Sequence, residues 1–110
     1  MLILTVVATP KEGLAAELRQ ACADLETASA DHEGLVSYTW HAKDDSGALT
    51  LVEVHENEAS IFNHIQLADT SALGAAAAAF TDINLYGPSP SAEVRTLLGG
   101  FGDLTVHEKI

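Results

Sequence analysis

The spacing of hydrophobic and polar residues predicts alternating strands and helices along this chain. Residues 2–8 are apolar and rich in β-branched side chains, which is typical of a strand covered on both faces. Thr9, Pro10 and Glu12 supply the usual start signals of a helix. One apolar stripe follows at helical spacing: Leu14, Leu18, Ala21, Cys22 and Leu25. We expect this helix to end within residues 29–31.

A β-hairpin is the next predicted unit. Its strands start at Gly34 and Ala48, and residues 43–47 have the composition of a turn. If Ala42 pairs with Ala48, the helix-facing side carries Leu35, Ser37, Thr39, His41, Leu49, Leu51, Glu53 and His55. The other side then carries Val36, Tyr38, Trp40, Thr50, Val52 and Val54. A slip of one residue would exchange partners between the two faces.

The remaining pattern completes a mixed fold. It predicts a helix from Glu58, capped by Asn57, and then an alanine-rich helix over residues 72–80. A strand over residues 81–86, a short helix from Ser89 and a strand over residues 104–110 complete the chain. The order is βαββαβ with an added C-terminal αβ, so the fold class is α+β with an antiparallel sheet covered by helices on one face. The length of 110 residues predicts a single domain.

The second face of this sheet has no helix left to bury it. On the predicted register it presents an aromatic and aliphatic patch: Tyr38, Trp40, Val36, Val52 and Val54. An exposed patch of this kind usually marks a protein interface. We therefore expect a homodimer formed through the helix-free face.

Composition excludes several classes of partner and location. Sixteen acidic residues against five basic ones give a net charge of −11, which disfavours nucleic acid and anionic membranes as partners. Cys22 is the only cysteine, so no internal disulfide can form. Residues 2–7 lack the basic segment of a signal peptide, and the later apolar run over 75–80 is too short to span a membrane. A cytoplasmic protein is the expectation.

Histidines gather around one acidic residue in the middle of the chain. Four of the five histidines lie in or beside residues 33–64, together with Glu53. On the predicted register His55 and Glu53 point to the helix-covered face, where His64 can meet them. A histidine suits a general base because its unperturbed pKa is about 6.5, and a carboxylate can orient it. The structural alternative is that His64 only satisfies Glu53 or backbone inside the core.

These residues resemble the antibiotic biosynthesis monooxygenase family. The resemblance is carried by Glu33-Gly34, Ser37-Tyr38, Glu53 two residues before His55, and Ala59 with Ile61 and His64. It covers residues 1–86 and implies a ferredoxin-like fold that pairs into a dimeric α+β barrel. Glu53 and His64 match the family's strand glutamate and helix histidine, whereas His55 stands where many members have tryptophan. Residues 2–8 also lack the asparagine of the haem-degrading branch, so haem degradation is not expected.

The resemblance implies a cofactor-independent monooxygenase that oxidises a small aromatic substrate, of the quinol or anthrone type, with O2. It makes His64 and His55 the candidate bases and Glu53 the residue that orients them. The expected ligand contacts are His41, Ile61, Thr39 and Leu51. The alanines of residues 75–79 would either leave room for a flat ring or simply pack closely. The alternative function is a non-catalytic dimeric barrel that binds a small apolar ligand or serves as an interaction module.

Three further expectations concern the rest of the site. No cofactor is implied. No catalytic metal is expected, because His41, His55, His64 and Glu53 include the residue types of a two-histidine, one-carboxylate site but not its short helical spacing. His32 and His107 are expected at the surface, and the alternative to a ligand contact for His41, near the end of the hairpin, is a solvated position.

Overall fold

A computed structural model describes residues 1–110 as one five-stranded sheet with four helices. In chain order the elements are β1 (Leu2–Pro10), α1 (Ala15–Ser29), β2 (Leu35–Ala42), β3 (Leu49–His55), α2 (Glu58–Leu67), α3 (Ser71–Ala76), β4 (Ala77–Gly87), α4 (Ala92–Gly99) and β5 (Leu104–Glu108). The strand order is β2-β3-β1-β4-β5, and every pair is antiparallel except β4 with β5. The predicted ferredoxin-like α+β fold with an added αβ unit is confirmed.

The central strand β1 extends further than its sequence pattern predicted. It continues to Pro10, which pairs with Ala77 of β4. The prediction that a helix begins within residues 9–12 is therefore wrong, since Thr9 and Pro10 belong to the strand. Gly13, with a φ of +79°, makes the turn, and α1 begins only at Ala15 without a side-chain cap.

Over residues 37–42 the register of the hairpin differs by one residue from the predicted one, whereas Leu35 pairs with His55 as predicted. Ala42 pairs with Leu49 rather than Ala48, and Tyr38 pairs with Glu53. The loop is shorter than expected because the Lys43 N–H donates to the Ala48 carbonyl at 2.9 Å. Tyr38 and Trp40 consequently share the helix-covered face with Glu53 and Leu51, and their predicted place on the dimer interface is wrong.

Alanine-rich sequence does not form one long helix after Thr70. The predicted helix over residues 72–80 ends at Ala76, and β4 begins at Ala77. Ala79 pairs with Thr9, and Phe80 pairs with Ala8. The helix preference of alanine amounts to only about 0.7 kcal/mol or less per residue over ordinary residues, and pairing with β1 outweighs it.

Two other helices start with a side-chain cap. Asn57 Oδ1 accepts from the Ser60 N–H at 3.0 Å, which confirms the predicted start of α2. Ser91 Oγ accepts from the Val94 N–H at 3.2 Å, so α4 begins at Ala92 and not at the predicted Ser89. Val94 and Leu98 of α4 are buried in the core beneath the sheet, so the C-terminal unit packs on the same face as α2.

The other face of the sheet is free of helices. Ile3 and Tyr86 are exposed to 38% and 40% on it, and Val52 and Val54 are half-buried. Val36 lies where the β2 ladder is irregular and is also exposed. None of the four helices is both long enough and apolar enough to cross a lipid bilayer.

Candidate active site

A cavity of about 160 Å³ lies between the sheet and the helices that cover it. Twelve of its sixteen lining residues are hydrophobic. The sheet provides Leu4, Val6, Tyr38, Trp40, Leu51, Glu53, Phe80 and Ile83, and the covering segments provide His64, Ile65, Ala68, Thr70, Leu73, Gly74, Leu98 and Phe101. Thr70, Gly74 and Phe101 are exposed, so they lie at the solvent side of the cavity. An apolar space with few convergent polar groups is the usual form of a small-molecule site.

Glu53 is the acidic group of this cavity and lies on an inner strand of the sheet. Its neighbours across the ladders are Leu4 of β1 and Tyr38 of β2, and the residue is 3% exposed. A carboxylate buried to this degree needs partners. His55 Nε2 lies 2.7 Å from Glu53 Oε1, and His64 Nε2 lies 3.6 Å from the same oxygen. His55 therefore forms a hydrogen bond with the carboxylate, and His64 lies near the same oxygen at the cavity wall.

His55 supports Glu53 from behind. Its ring is fully buried and does not line the cavity, and its Nδ1 lies 2.6 Å from Ser60 Oγ. When His55 Nε2–H donates to the carboxylate, Nδ1 of the neutral ring accepts from the Ser60 hydroxyl. Ser60, His55 and Glu53 follow the order of a hydrolytic triad, but Ser60 is also outside the cavity lining.

Gly34 allows this buried chain to form. A Cβ at Gly34 would lie 2.7 Å from the Ser60 Cβ, and its φ of +79° is one that other residues rarely adopt. The backbone therefore passes directly over Ser60. A substrate cannot reach the hydroxyl, and the chain serves to fix Glu53.

His64 is the histidine that meets the cavity. It projects from α2, is 5% exposed and lines the cavity wall. Burial lowers the pKa of His64 below its ordinary value; Glu53 opposes this effect, and the neighbouring His32 and His55 add to it. The ring is accordingly neutral at pH 7.

His32 is part of the site, and its expected surface position is wrong. It is half-buried in the turn before β2, and its Nδ1 lies 2.8 Å from Nδ1 of His64. The two ring centroids are 5.0 Å apart. No local sequence pattern links residues separated by 32 positions, so only a three-dimensional structure brings this pair together.

Tyr38 and Trp40 form the aromatic part of the wall. Trp40 Nε1–H donates to the Tyr38 hydroxyl oxygen at 3.1 Å, and the Tyr38 ring lies 5.0 Å from the ring of His64. Burial raises the pKa of Tyr38. The hydrogen bond from Trp40 lowers this pKa, and the negative charge of Glu53 raises it further. The phenol therefore stays protonated, and its O–H donates a hydrogen bond to no acceptor within the protein.

The predicted ligand contacts fall in different places. Leu51 lines the cavity, whereas Ile61 is fully buried beside it in the core. Thr39 and His41 lie on the opposite face, where Thr39 Oγ1 and His41 Nε2 are 2.8 Å apart, because the register differs by one. None of the alanines in residues 75–79 lines the cavity.

The ionisable residues do not assemble a metal centre. No group of three or more histidine, cysteine, aspartate or glutamate side chains has an arrangement that could hold a metal ion. His107 is exposed, as expected, and stacks on Tyr86 with ring centroids 4.4 Å apart.

Comparison with known families decides the classification. The family model of antibiotic biosynthesis monooxygenases matches residues 1–76, which is more than half of the chain. The chain belongs to this family. The match contains all of the site's ionisable residues and ends at the junction of α3 and β4. No curated protein matches the chain by sequence.

Solved structures show the same fold at low sequence identity. MupZ from Pseudomonas fluorescens is 14% identical with a TM-score of 0.81, and the match covers 99% of this chain and 89% of MupZ. A candidate antibiotic biosynthesis monooxygenase from Nitrosomonas europaea is 17% identical with a TM-score of 0.70, over 82% of this chain and all of that one. A further candidate from Deinococcus radiodurans is 22% identical with a TM-score of 0.63, over 77% and 87% of the two chains.

Proposed function

We propose that this member of the antibiotic biosynthesis monooxygenase family is a cofactor-independent monooxygenase that oxidises a small, electron-rich aromatic substrate with O2. The observation that carries the proposal is the buried pair of Glu53 and His64 in an otherwise apolar cavity. The cavity volume of about 160 Å³ is close to that of an engineered cavity of about 150 Å³ that binds benzene. This favours a single-ring quinol over a three-ring anthrone.

The reaction needs no external reductant. A phenolic substrate loses its O–H proton to the site, and the resulting anion gives one electron to O2. The ring radical and superoxide combine to form a C–O bond. Cleavage of the O–O bond, with loss of the ring C–H proton, then leaves a ring carbonyl and releases water. One oxygen atom enters the product, the other becomes water, and the ring supplies all four electrons.

The geometry supports a division of roles between Glu53 and His64. Their facing atoms are 3.6 Å apart, longer than an ordinary hydrogen bond, so a substrate hydroxyl can contact both. The carboxylate accepts the proton and His64 Nε2–H stabilises the phenolate oxygen. His55 positions Glu53, and Tyr38 has a free O–H for a second oxygen of the ligand. This assignment reverses the roles expected from sequence, in which the histidines were the bases.

An oxygen electrode tests the proposal with a panel of single-ring quinols, in the absence of flavin and metal. We expect O2 uptake that yields one hydroxylated quinone per O2. Glu53→Gln should lower turnover by about 10²–10⁴-fold, the usual contribution of a general base. Glu56→Gln is the matched control, because Glu56 directly follows β3 but is exposed. Uptake equal in the wild-type protein and Glu53→Gln would refute the proposal.

We also propose that two chains associate through the helix-free face, in the cytoplasm. Ile3, Val52, Val54 and Tyr86 offer apolar surface there, and Val36 adds to it at its edge. Val54→Lys should produce a monomer in sedimentation velocity, because an unpaired charge would be buried between the sheets. A wild-type protein that sediments as a monomer at micromolar concentration would exclude this dimer.

A second candidate function is ligand binding without turnover. The predominance of apolar side chains in the cavity wall favours it, because such walls bind apolar molecules without reacting with them. Native mass spectrometry of the purified protein distinguishes the two functions. A retained aromatic molecule that persists unchanged under O2 supports binding alone, whereas its conversion to an oxygenated product supports the enzyme.

A further inference from the structure

His32 connects the cavity to the protein surface. It does not line the cavity, but its Nδ1 contacts Nδ1 of His64, which does. Ser29 Oγ is the only buried side-chain nitrogen or oxygen without a hydrogen-bond partner. His32 Nε2 has no partner within the protein and is therefore open to solvent. One imidazole thus spans the distance between His64 and bulk water.

The hydrogen bond between the two Nδ1 atoms selects one tautomer of His64. One ring must carry the proton and the other must offer a lone pair. If His64 carried it, the lone pair of its Nε2 would face the Glu53 carboxylate at 3.6 Å, which is unfavourable. With the proton on His32 Nδ1, His64 accepts there and carries its own proton on Nε2, directed toward Glu53.

We propose that His32 is a positioning residue that holds His64 in the Nε2–H tautomer and exchanges protons between His64 and solvent. The reaction it serves rests on the proposed function, in which the proton taken from the substrate must later reach the oxygen that leaves as water. When His64 Nε2–H gives its proton to the cavity, the His32 Nδ1 proton moves to His64 Nδ1. His32 Nε2 then takes a proton from water. The reverse transfers carry the proton held by Glu53 to His64 Nε2 and out through His32 to the hydroxide left behind, so both rings end neutral and in their starting tautomers.

The groups around His64 agree with this role. Glu53 and His55 face it from β3, Tyr38 faces it from β2, and His32 faces it from the preceding turn. His55 is committed to Glu53 and Ser60 through both ring nitrogens, and Tyr38 is held by Trp40. Only His32 combines a contact to His64 with a nitrogen open to solvent.

Ring-nitrogen NMR of histidine-labelled protein tests the positioning role without any substrate. His32→Asn keeps an N–H donor where Nδ1 stood, so His64 should remain the Nε2–H tautomer. His32→Phe keeps a ring but no donor, so the Nδ1–H tautomer of His64 should gain population and the pKa of His64 should rise. His107→Phe, on the far side of the sheet, should change neither quantity. An unchanged tautomer and pKa of His64 in His32→Phe would overturn the positioning role.

Turnover tests the proton exchange. His32→Ala should lower turnover by about tenfold or more, and added imidazole should restore it by occupying the gap, which a purely structural defect would not allow. His107→Ala should show neither the loss nor the rescue. Loss without rescue would overturn the exchange role. If the wild-type protein shows no oxygenase turnover at all, the proposed function fails, and the NMR result alone decides the role of His32.

Discussion

Tyr38 lies directly opposite Glu53 across the β2–β3 ladder, and both side chains face the cavity. Cross-strand neighbours on one face have Cβ atoms about 4.5–5.5 Å apart, so the phenol and the carboxylate form one polar edge in an apolar wall. A ligand with two oxygen atoms can contact both groups. The substrate class proposed for this protein depends on this pair.

Removal of the Tyr38 hydroxyl should destabilise the protein. Tyr38→Phe leaves the half-buried Trp40 indole N–H without its acceptor at 3.1 Å, which should cost about 1 kcal/mol, the lower end of the range for an unsatisfied donor. Urea denaturation measures the loss in the free energy of unfolding. Tyr86→Phe is the matched control and should change it by less than about 0.5 kcal/mol, since Tyr86 is exposed. Equal effects of the two substitutions would contradict the prediction.

His55 should matter more for stability than any other histidine. His55→Ala removes the 2.7 Å partner of Glu53 and the 2.6 Å partner of Ser60, and breaking a buried pair of this kind typically costs about 3–5 kcal/mol. His41→Ala, at an exposed position, should cost less than about 0.5 kcal/mol. Thermal and urea melts of both variants provide the comparison. A cost for His55→Ala no greater than for His41→Ala would show that Glu53 does not depend on this contact.

The stability of the protein should fall as the pH decreases below about 6.5. The pKa of His64 is lowered in the folded state, chiefly by burial, so the unfolded chain binds a proton first. The stability that results is fully present above the unfolded pKa of about 6.5 and is lost as the pH falls toward the folded pKa. Urea melts between pH 8 and pH 5 measure this slope. His64→Gln should flatten it, and an identical slope in the variant would assign the effect to other groups.

Cys22 should be unreactive in the folded protein. Burial raises the pKa of its thiol to about 12, and the charge of Glu26 contributes in the same direction. Because the thiolate is the nucleophile, iodoacetamide at pH 8 should label the native protein far more slowly than the urea-unfolded chain. Mass spectrometry of timed samples gives both rates. Similar rates in the two states would mean that α1 separates readily from the core and exposes the Cys22 thiol.

The strands, helices and their order could be predicted from the sequence because hydrophobic spacing reports which face of each element is buried. Asn57 and the alternation of β3 are examples of local signals that were sufficient. The register of β2 could not be predicted in this way. Tyr38 and Trp40 on one side, and Ser37 and Thr39 on the other, form acceptable faces in either alignment, so the choice depends on the closing hydrogen bond of the turn.

Part of the site could also be predicted, because the spacing of residues shows which side chains share one face of a strand or helix. Glu53 and His64 stand at positions that strand alternation and helical spacing direct to one face, and the structure brings them together. His32 has no periodic relation to either residue, since it lies in a turn. Phe80 appeared helical by composition, because alanine dominates its neighbours, and only pairing with β1 places it in the cavity wall.

The wall formed by Leu98 and Phe101 lies outside the part of the chain that the family model covers. Glu53 and His64 thus belong to one stretch of the sequence, and this part of the cavity wall belongs to another. Exchange of residues 88–110 for a different ending would reshape the space offered to a guest molecule while leaving Glu53 and His64 untouched. In this architecture, selectivity can diverge independently of reactivity.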